Sequence, residues 1–156
     1  RAMYGIIFGS FALYIGFNLI NNSRALHDKL TQSIPWSRLQ QSSNYLAKHT
    51  PPQTLIFHTN WSDAPMLFFH NTNNRYMAGL DPTFFYLLNQ SLYRRWVDIN
   101  IGSVHQSAKA IYDTFKTQYI LVVLPQDWKL NYQLKKEPGV KALFHDDSSI
   151  LYYYNP

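Results

Sequence analysis

The chain opens on a long apolar run and then breaks into short blocks of changing period. Residues Ala2 to Ser23 carry no charge, and from Met3 to Ile20 the apolar run is interrupted only by Ser10, Asn18 and glycines. A span of about 20 apolar residues crosses the hydrocarbon core of a bilayer, so residues 1–23 read as a transmembrane helix. A buried core helix rarely stays uncharged on every face for so long. A signal peptide would end in a small-residue cleavage site, whereas Asn21-Asn22-Ser23-Arg24 follows here. Gly5, Gly9, Ala12 and Gly16 fall at steps of four, three and four and share one helix face. Small residues so placed let two helix backbones approach closely in lipid. The expected partners of this segment are therefore the lipid bilayer and other transmembrane helices, from an upstream segment of the same polypeptide or from partner subunits.

Beyond the run, residues 24–50 read as connecting helices. Arg24–Leu30 continues the first helix, and a second runs from Pro35 to about Lys48 until Pro51-Pro52 stops it. Leu55-Ile56-Phe57 is a short apolar block between turn residues and reads as a buried strand. A short helix capped by Asp63 or Ser62 follows and runs through Phe69, then a strand over Arg75–Ala78 ended by Gly79. Asp81-Pro82 opens a helical stretch reaching Ile99, with a break near Asn89, and Ser107–Phe115 repeats the helical spacing. Tyr119–Leu124 is β-branched and does not alternate, as a central parallel strand requires. Asp127–Lys136 is a weaker helix. Val140–Phe144 and Ile150–Tyr154 flank Asp146-Asp147-Ser148-Ser149 as a terminal hairpin. This order predicts an α/β protein: an N-terminal transmembrane helix, then over residues 51–156 a soluble three-layer, mostly parallel, Rossmann-like domain whose hairpin adds an antiparallel edge.

Composition narrows the function classes. Of the 156 residues 15% are charged and 17% aromatic, against about 25% charged in an ordinary globular domain. The formal charge is +5, but the Lys and Arg residues are scattered, with doublets only at Arg94-Arg95 and Lys135-Lys136. Nucleic acid is therefore not an expected partner, and an anionic membrane surface suits the excess charge better. The absence of cysteine excludes disulfides, thiolate metal sites and cysteine nucleophiles.

The densest polar and aromatic stretch begins where the first strand ends. In parallel sheets ligands bind outside the carboxyl ends of strands, which makes His58, Asn60, Trp61, Asp63, Asn71, Tyr76 and Asp81 the candidate ligand-binding residues. Trp61, His70 and Tyr76 could stack on a sugar ring while Asn60, Asp63 and Asn71 bond its hydroxyls. The plainer reading is favoured: Asp63 and Asp81 cap helices and the asparagines make turns, which is what such turns demand. His58, Asp63 and His70 match no zinc spacing, so no metal and no cofactor is expected. No phosphate loop, nucleophile elbow or catalytic triad is visible, and no catalytic residue is nominated.

The segment FHTNWSDAPMLFFHNTNNRYMAGLDPTFFY, residues 57–86, resembles the C-terminal soluble domains of bacterial GT-C-type membrane glycosyltransferases. These enzymes use polyprenyl-phosphate-linked sugars and are akin to the protein mannosyltransferases. His58-Thr59-Asn60-Trp61-Ser62-Asp63 and Gly79-Leu80-Asp81-Pro82 carry the resemblance. It implies a domain on the periplasmic side of a bacterial inner membrane that aids acceptor or sugar binding. The catalytic acid of such enzymes lies in an early loop between membrane helices, so no catalytic residue carries over and the chain is not a complete enzyme by itself. The competing reading is a structural accessory subunit of a membrane complex, held by its small-residue helix.

Overall fold

The computed structural model describes residues 2–31, 35–79 and 81–156, and in the first helix the side-chain surroundings of residues 9–29. The chain divides into two units, Arg1–Pro35 and Trp36–Pro156.

The first unit is a single helix, α1 (Ala2–Thr31). The expected transmembrane span is not there: among the described residues no helix is long and apolar enough to cross a membrane. The described apolar run, Gly9 to Ile20, already contains Ser10 and Asn18. The helix then continues without a break through Asn21, Asn22, Ser23, Arg24 and on to Lys29. Two of its polar side chains bond to its own backbone. The Asn18 side chain donates to the Tyr14 carbonyl at 2.8 Å and the Ser23 hydroxyl to that of Leu19 at 2.6 Å. A Cβ added at Gly9 or Gly16 would meet nothing within 4 Å. The surroundings of Gly5 and the expected start of the next helix near Ser33 and Ile34 lie outside the described residues.

In the second unit a 3-10 turn (Trp36–Leu39) leads into α2 (Gln40–His49), and β1 (Leu55–His58) follows. A second 3-10 turn (Trp61–Asp63) precedes α3 (Ala64–His70), β2 (Arg75–Tyr76), α4 (Pro82–Leu88), α5 (Gln90–Asn100) and α6 (Ser107–Phe115). The chain ends with β3 (Tyr119–Val123), α7 (Trp128–Leu134), β4 (Val140–His145) and β5 (Ser149–Tyr154). The strands form one sheet in the order β2-β1-β3-β5-β4. β1 runs parallel to β2 and β3, while β5 runs antiparallel to both β3 and β4. The expectation of a mostly parallel, Rossmann-like sheet is thus corrected to a mixed one. The cause is the hairpin. β5 is buried along nearly its whole length and so takes the inner place beside β3. The largely exposed β4, carrying Lys141 and a bulge between Ala142 and Phe144, becomes the edge, as edge strands that resist further pairing do.

Strand side chains alternate between two apolar layers. Phe57, Ile120, Val122, Ile150, Tyr152 and Tyr154 face one cluster, with Trp96 and Ile99 of α5, Ile111 and Phe115 of α6, and Leu130 and Leu134 of α7. Ile56, Leu121, Val123 and Leu151 face the other, with Leu39, Leu46 of α2 and Leu67 of α3. Helices therefore cover both faces of the sheet, which is why β3 shows no alternation.

Candidate functional site

β1 and β3 are adjacent, but the chain leaves β1 toward β2 on one side and reaches β3 on the other. The strand order thus reverses between them, the place where open sheets with parallel strands leave a crevice beyond their carboxyl ends. The residues just past β1 and β3 meet there. The Thr59 hydroxyl donates to Asp127 Oδ2, which also accepts from the Val123 N–H at 3.1 Å. Asn100, the last residue of α5, donates its side-chain N–H to the Thr59 carbonyl at 2.8 Å. Arg38 reaches across from the 3-10 turn and donates to the Leu124 carbonyl at 3.1 Å and to Gln126 Oε1 at 2.7 Å.

The side chain of Asp63, on which the Arg38 and Asp127 charges act, makes no hydrogen bond. It sits where a cap of α3 would be but makes no side-chain cap bond. It is 2% exposed, and its Oδ2 is buried with no partner. Burial pushes its carboxyl up to about 6; the Arg38 charge opposes that shift and the Asp127 charge adds to it. Asp127 is likewise raised by burial, against the hydrogen bonds from Thr59 and Val123. Oδ1 of Asn100 is a second buried atom with no partner.

The other candidate residues serve the fold. His58 is fully buried; its Nε2 accepts from the Ala78 N–H at 3.2 Å, so Nδ1 carries the proton and donates to the Asn60 carbonyl at 3.0 Å. Burial holds this ring neutral, down to about 4. Both nitrogens are used in joining the end of β1 to the segment after β2. His70 faces elsewhere, its Nε2 2.7 Å from the Trp36 carbonyl. Among the described residues no three His, Asp or Glu side chains gather in a metal-holding group. Asn60 accepts from the Ser62 N–H at 3.1 Å and Asp81 from the Thr83 N–H at 2.8 Å, as caps. Asn71 is buried, accepts from the Asn73 N–H at 2.9 Å and donates to Asn74 at 2.6 Å. The Tyr76 hydroxyl donates to the Asn71 carbonyl at 3.0 Å. Trp61 is exposed.

A cavity of about 630 Å³ opens at the β2 edge of the sheet. Its apolar wall is made by Ala64, Pro65 and Phe68 of α3 with Tyr76 and Gly79, and its polar rim by Gln53, Thr72, Asn74 and Arg75. Every lining residue except Gln53 belongs to the 57–86 segment. Of the candidate residues, Tyr76 lines this cavity and Asp63 belongs to the cluster beyond β1 and β3.

Arg38, Thr59, Asn100 and Asp127 were not nominated from the sequence. Asp127 follows the most apolar strand of the chain within four residues, a position that marks the carboxyl end of a central strand. That signal was available, whereas nothing local pointed to Arg38 or Asn100. No protein-family model, curated protein or solved structure matches the chain.

Proposed function

We propose that the chain is a carbohydrate-holding, non-catalytic domain of a membrane glycosyltransferase-like protein, with the cavity at the β2 edge as the ligand seat. The observation that carries this reading is the cavity itself. Its volume of about 630 Å³ falls within the ~300–1,000 Å³ usual for small-ligand sites. An aromatic wall and a rim of amide, hydroxyl and guanidinium groups are what a sugar needs: its C–H face packs on Phe68 and Tyr76 while its hydroxyls meet Gln53, Thr72 and Arg75. The reading also draws on the resemblance of residues 57–86, which supply nearly the whole lining. It does not rest on a membrane anchor in this chain.

The test uses saturation-transfer NMR with methyl glycosides of mannose, glucose, galactose and N-acetylglucosamine. Gly79 has no left-handed φ, and a Cβ there meets only that of Ala64 at 3.9 Å. Gly79→Leu therefore fills the cavity without straining the backbone. Phe68 is 60% exposed, so Phe68→Ala leaves the core intact. At least one glycoside is expected to bind with Kd on the order of 1 mM. Gly79→Leu should abolish the signal and Phe68→Ala should weaken binding several-fold. An undiminished signal from the Gly79→Leu variant, or no signal from any of the four sugars, overturns the reading.

A further inference from the structure

A second cavity, of about 660 Å³, lies between the loop joining α5 to α6 and the segment from Trp128 to Pro138. It shares no lining residue with the cavity at the β2 edge. Its walls carry two large aromatic rings left to solvent: Trp128 is 62% exposed and Tyr132 58%. They stand four positions apart on α7 and so share one face, against which a flat ring can lie. The opposite face of α7 is buried through Leu130 and Leu134. Two ammonium groups stand at these rings. Lys136 Nζ is 3.9 Å from the centre of the Tyr132 ring and donates to its hydroxyl, and Lys129 Nζ is 5.7 Å from the centre of the Trp128 ring. Neither has a carboxylate partner, the ion pair among the described residues being Lys109 with Asp113. Glu137 is the acid in the lining, and both its oxygens are taken by the N–H groups of Ala108 and Lys109 at 2.9 Å. The Gln133 amide is engaged as well: its N–H donates to the Gly102 carbonyl at 2.7 Å, and its oxygen accepts from the Ser107 hydroxyl at 2.6 Å. Positive charge is thus left over beside two exposed rings.

We propose that this cavity seats a nucleoside phosphate, with its base stacked on Trp128 and Tyr132 and its phosphate at Lys129 and Lys136. The volume lies within the ~300–1,000 Å³ usual for small-ligand sites. Two lysines and no arginine in the lining suit a phosphate held by point charges. A carboxylate is better gripped by the two parallel bonds of an arginine. Aromatic faces add a stacking platform that every base can use. Both lysines sit on flexible four-carbon stems, so a phosphate can draw the ammonium groups aside and leave the ring faces to the base. A neutral sugar is the poorer occupant, because its hydroxyls need acceptors, and the Glu137 carboxylate and Gln133 amide oxygen are already engaged. The proposal stands independently of the carbohydrate reading, since the two cavities have no residue in common.

The test is calorimetric titration of the full chain in low-salt buffer with AMP, GMP and UMP, with the matching nucleosides and inorganic phosphate as controls. At least one nucleotide is expected to bind with Kd on the order of 1 mM or below, about tenfold or more tighter than its nucleoside or inorganic phosphate. Trp128→Ala should weaken that binding by about tenfold. Lys136→Gln should weaken it and flatten its dependence on salt, because a screened charge has been removed. Both side chains are exposed, so the melting temperatures of the two variants should stay at the wild-type value. Gly79→Leu, which fills the other cavity, should leave nucleotide affinity unchanged. No binding of any of the three nucleotides overturns the proposal, and so does equal affinity for the nucleosides or for inorganic phosphate. Undiminished affinity in either Trp128→Ala or Lys136→Gln overturns it too, as does loss of nucleotide binding in Gly79→Leu.

Discussion

Two buried titratable side chains, His58 and Asp63, stand five positions apart and pull stability in opposite directions as pH changes. His58 is lowered by burial to about 4 from 6.5. Its contribution is fully present above its ordinary value and is lost as pH falls toward 4, because the unfolded chain takes up the proton first. Asp63 is raised by burial to about 6 from 3.8. The folded state holds that proton more tightly than the unfolded state, so stability from this group is present below 3.8 and lost as pH rises through about 6. Asp127 shifts in the same direction as Asp63. The wild type should therefore show a shallow dependence between these values. Asp63→Asn removes the opposing term, so the variant should lose melting temperature more steeply on acidification through the same window. Parallel melting-temperature curves for the two proteins would sink this account. Asp63 was legible as a polar residue after a strand. Its environment was not, because the charges that act on it, Arg38 and Asp127, lie 25 and 64 positions away in the chain.

At the scale of elements, local signals suffice where cap and helix are neighbours in sequence. Asp81 caps α4 two residues on, and Asn89 accepts from the Leu92 N–H at 3.0 Å, which separates α4 from α5. The N-terminus of α6 is different. Gln106 precedes it at φ 53° with no side-chain cap bond. The N–H groups of Ala108 and Lys109, left open by the helix start, are instead taken by the two carboxylate oxygens of Glu137, each at 2.9 Å. A carboxylate there also meets the positive end of the helix. Glu137→Ala should destabilise the domain by about 1–2 kcal/mol, seen as a lower denaturant midpoint at unchanged slope. An unchanged midpoint would mean that these N–H groups are as well served by solvent. The cap spans nearly thirty residues of chain, which no local pattern encodes.

For the whole molecule the decisive element is β3, with Ile120, Leu121, Val122 and Val123 all inaccessible to solvent. It pairs with β1 on one side and β5 on the other, so it touches both apolar layers. Leu121→Ala should cost about 2–5 kcal/mol through the cavity it leaves. Val122→Asp should unfold the domain, because no partner for a charge lies within that layer. A cooperative melt of the Val122→Asp protein near the wild-type temperature would show that β3 is not the centre of the sheet. The same scale exposes the error at the amino end. A window of apolar residues predicts a span, but α1 carries its helix on into Arg24, Asp28 and Lys29, and its described part is not apolar for long enough.

What the sequence determined by itself is what depends on neighbours in the chain. The mixed α/β character, the doubly buried β3, the terminal hairpin and the caps at Asn60, Asp81 and Asn89 all follow from patterns a few residues long. Those patterns act through steric and hydrogen-bonding preferences that each segment already has alone. Tertiary structure alone decided where the hairpin enters the sheet, since β4 and β5 are both able to pair and only burial on two faces places β5 inside. It also decided which polar residues are left without partners. Asn60, Asp63 and Asp81 are equivalent as sequence signals, yet two of them cap and the third is buried without a side-chain hydrogen bond. Desolvation and charge pairing are properties of the packed interior, summed over segments that the chain brings together only when it folds.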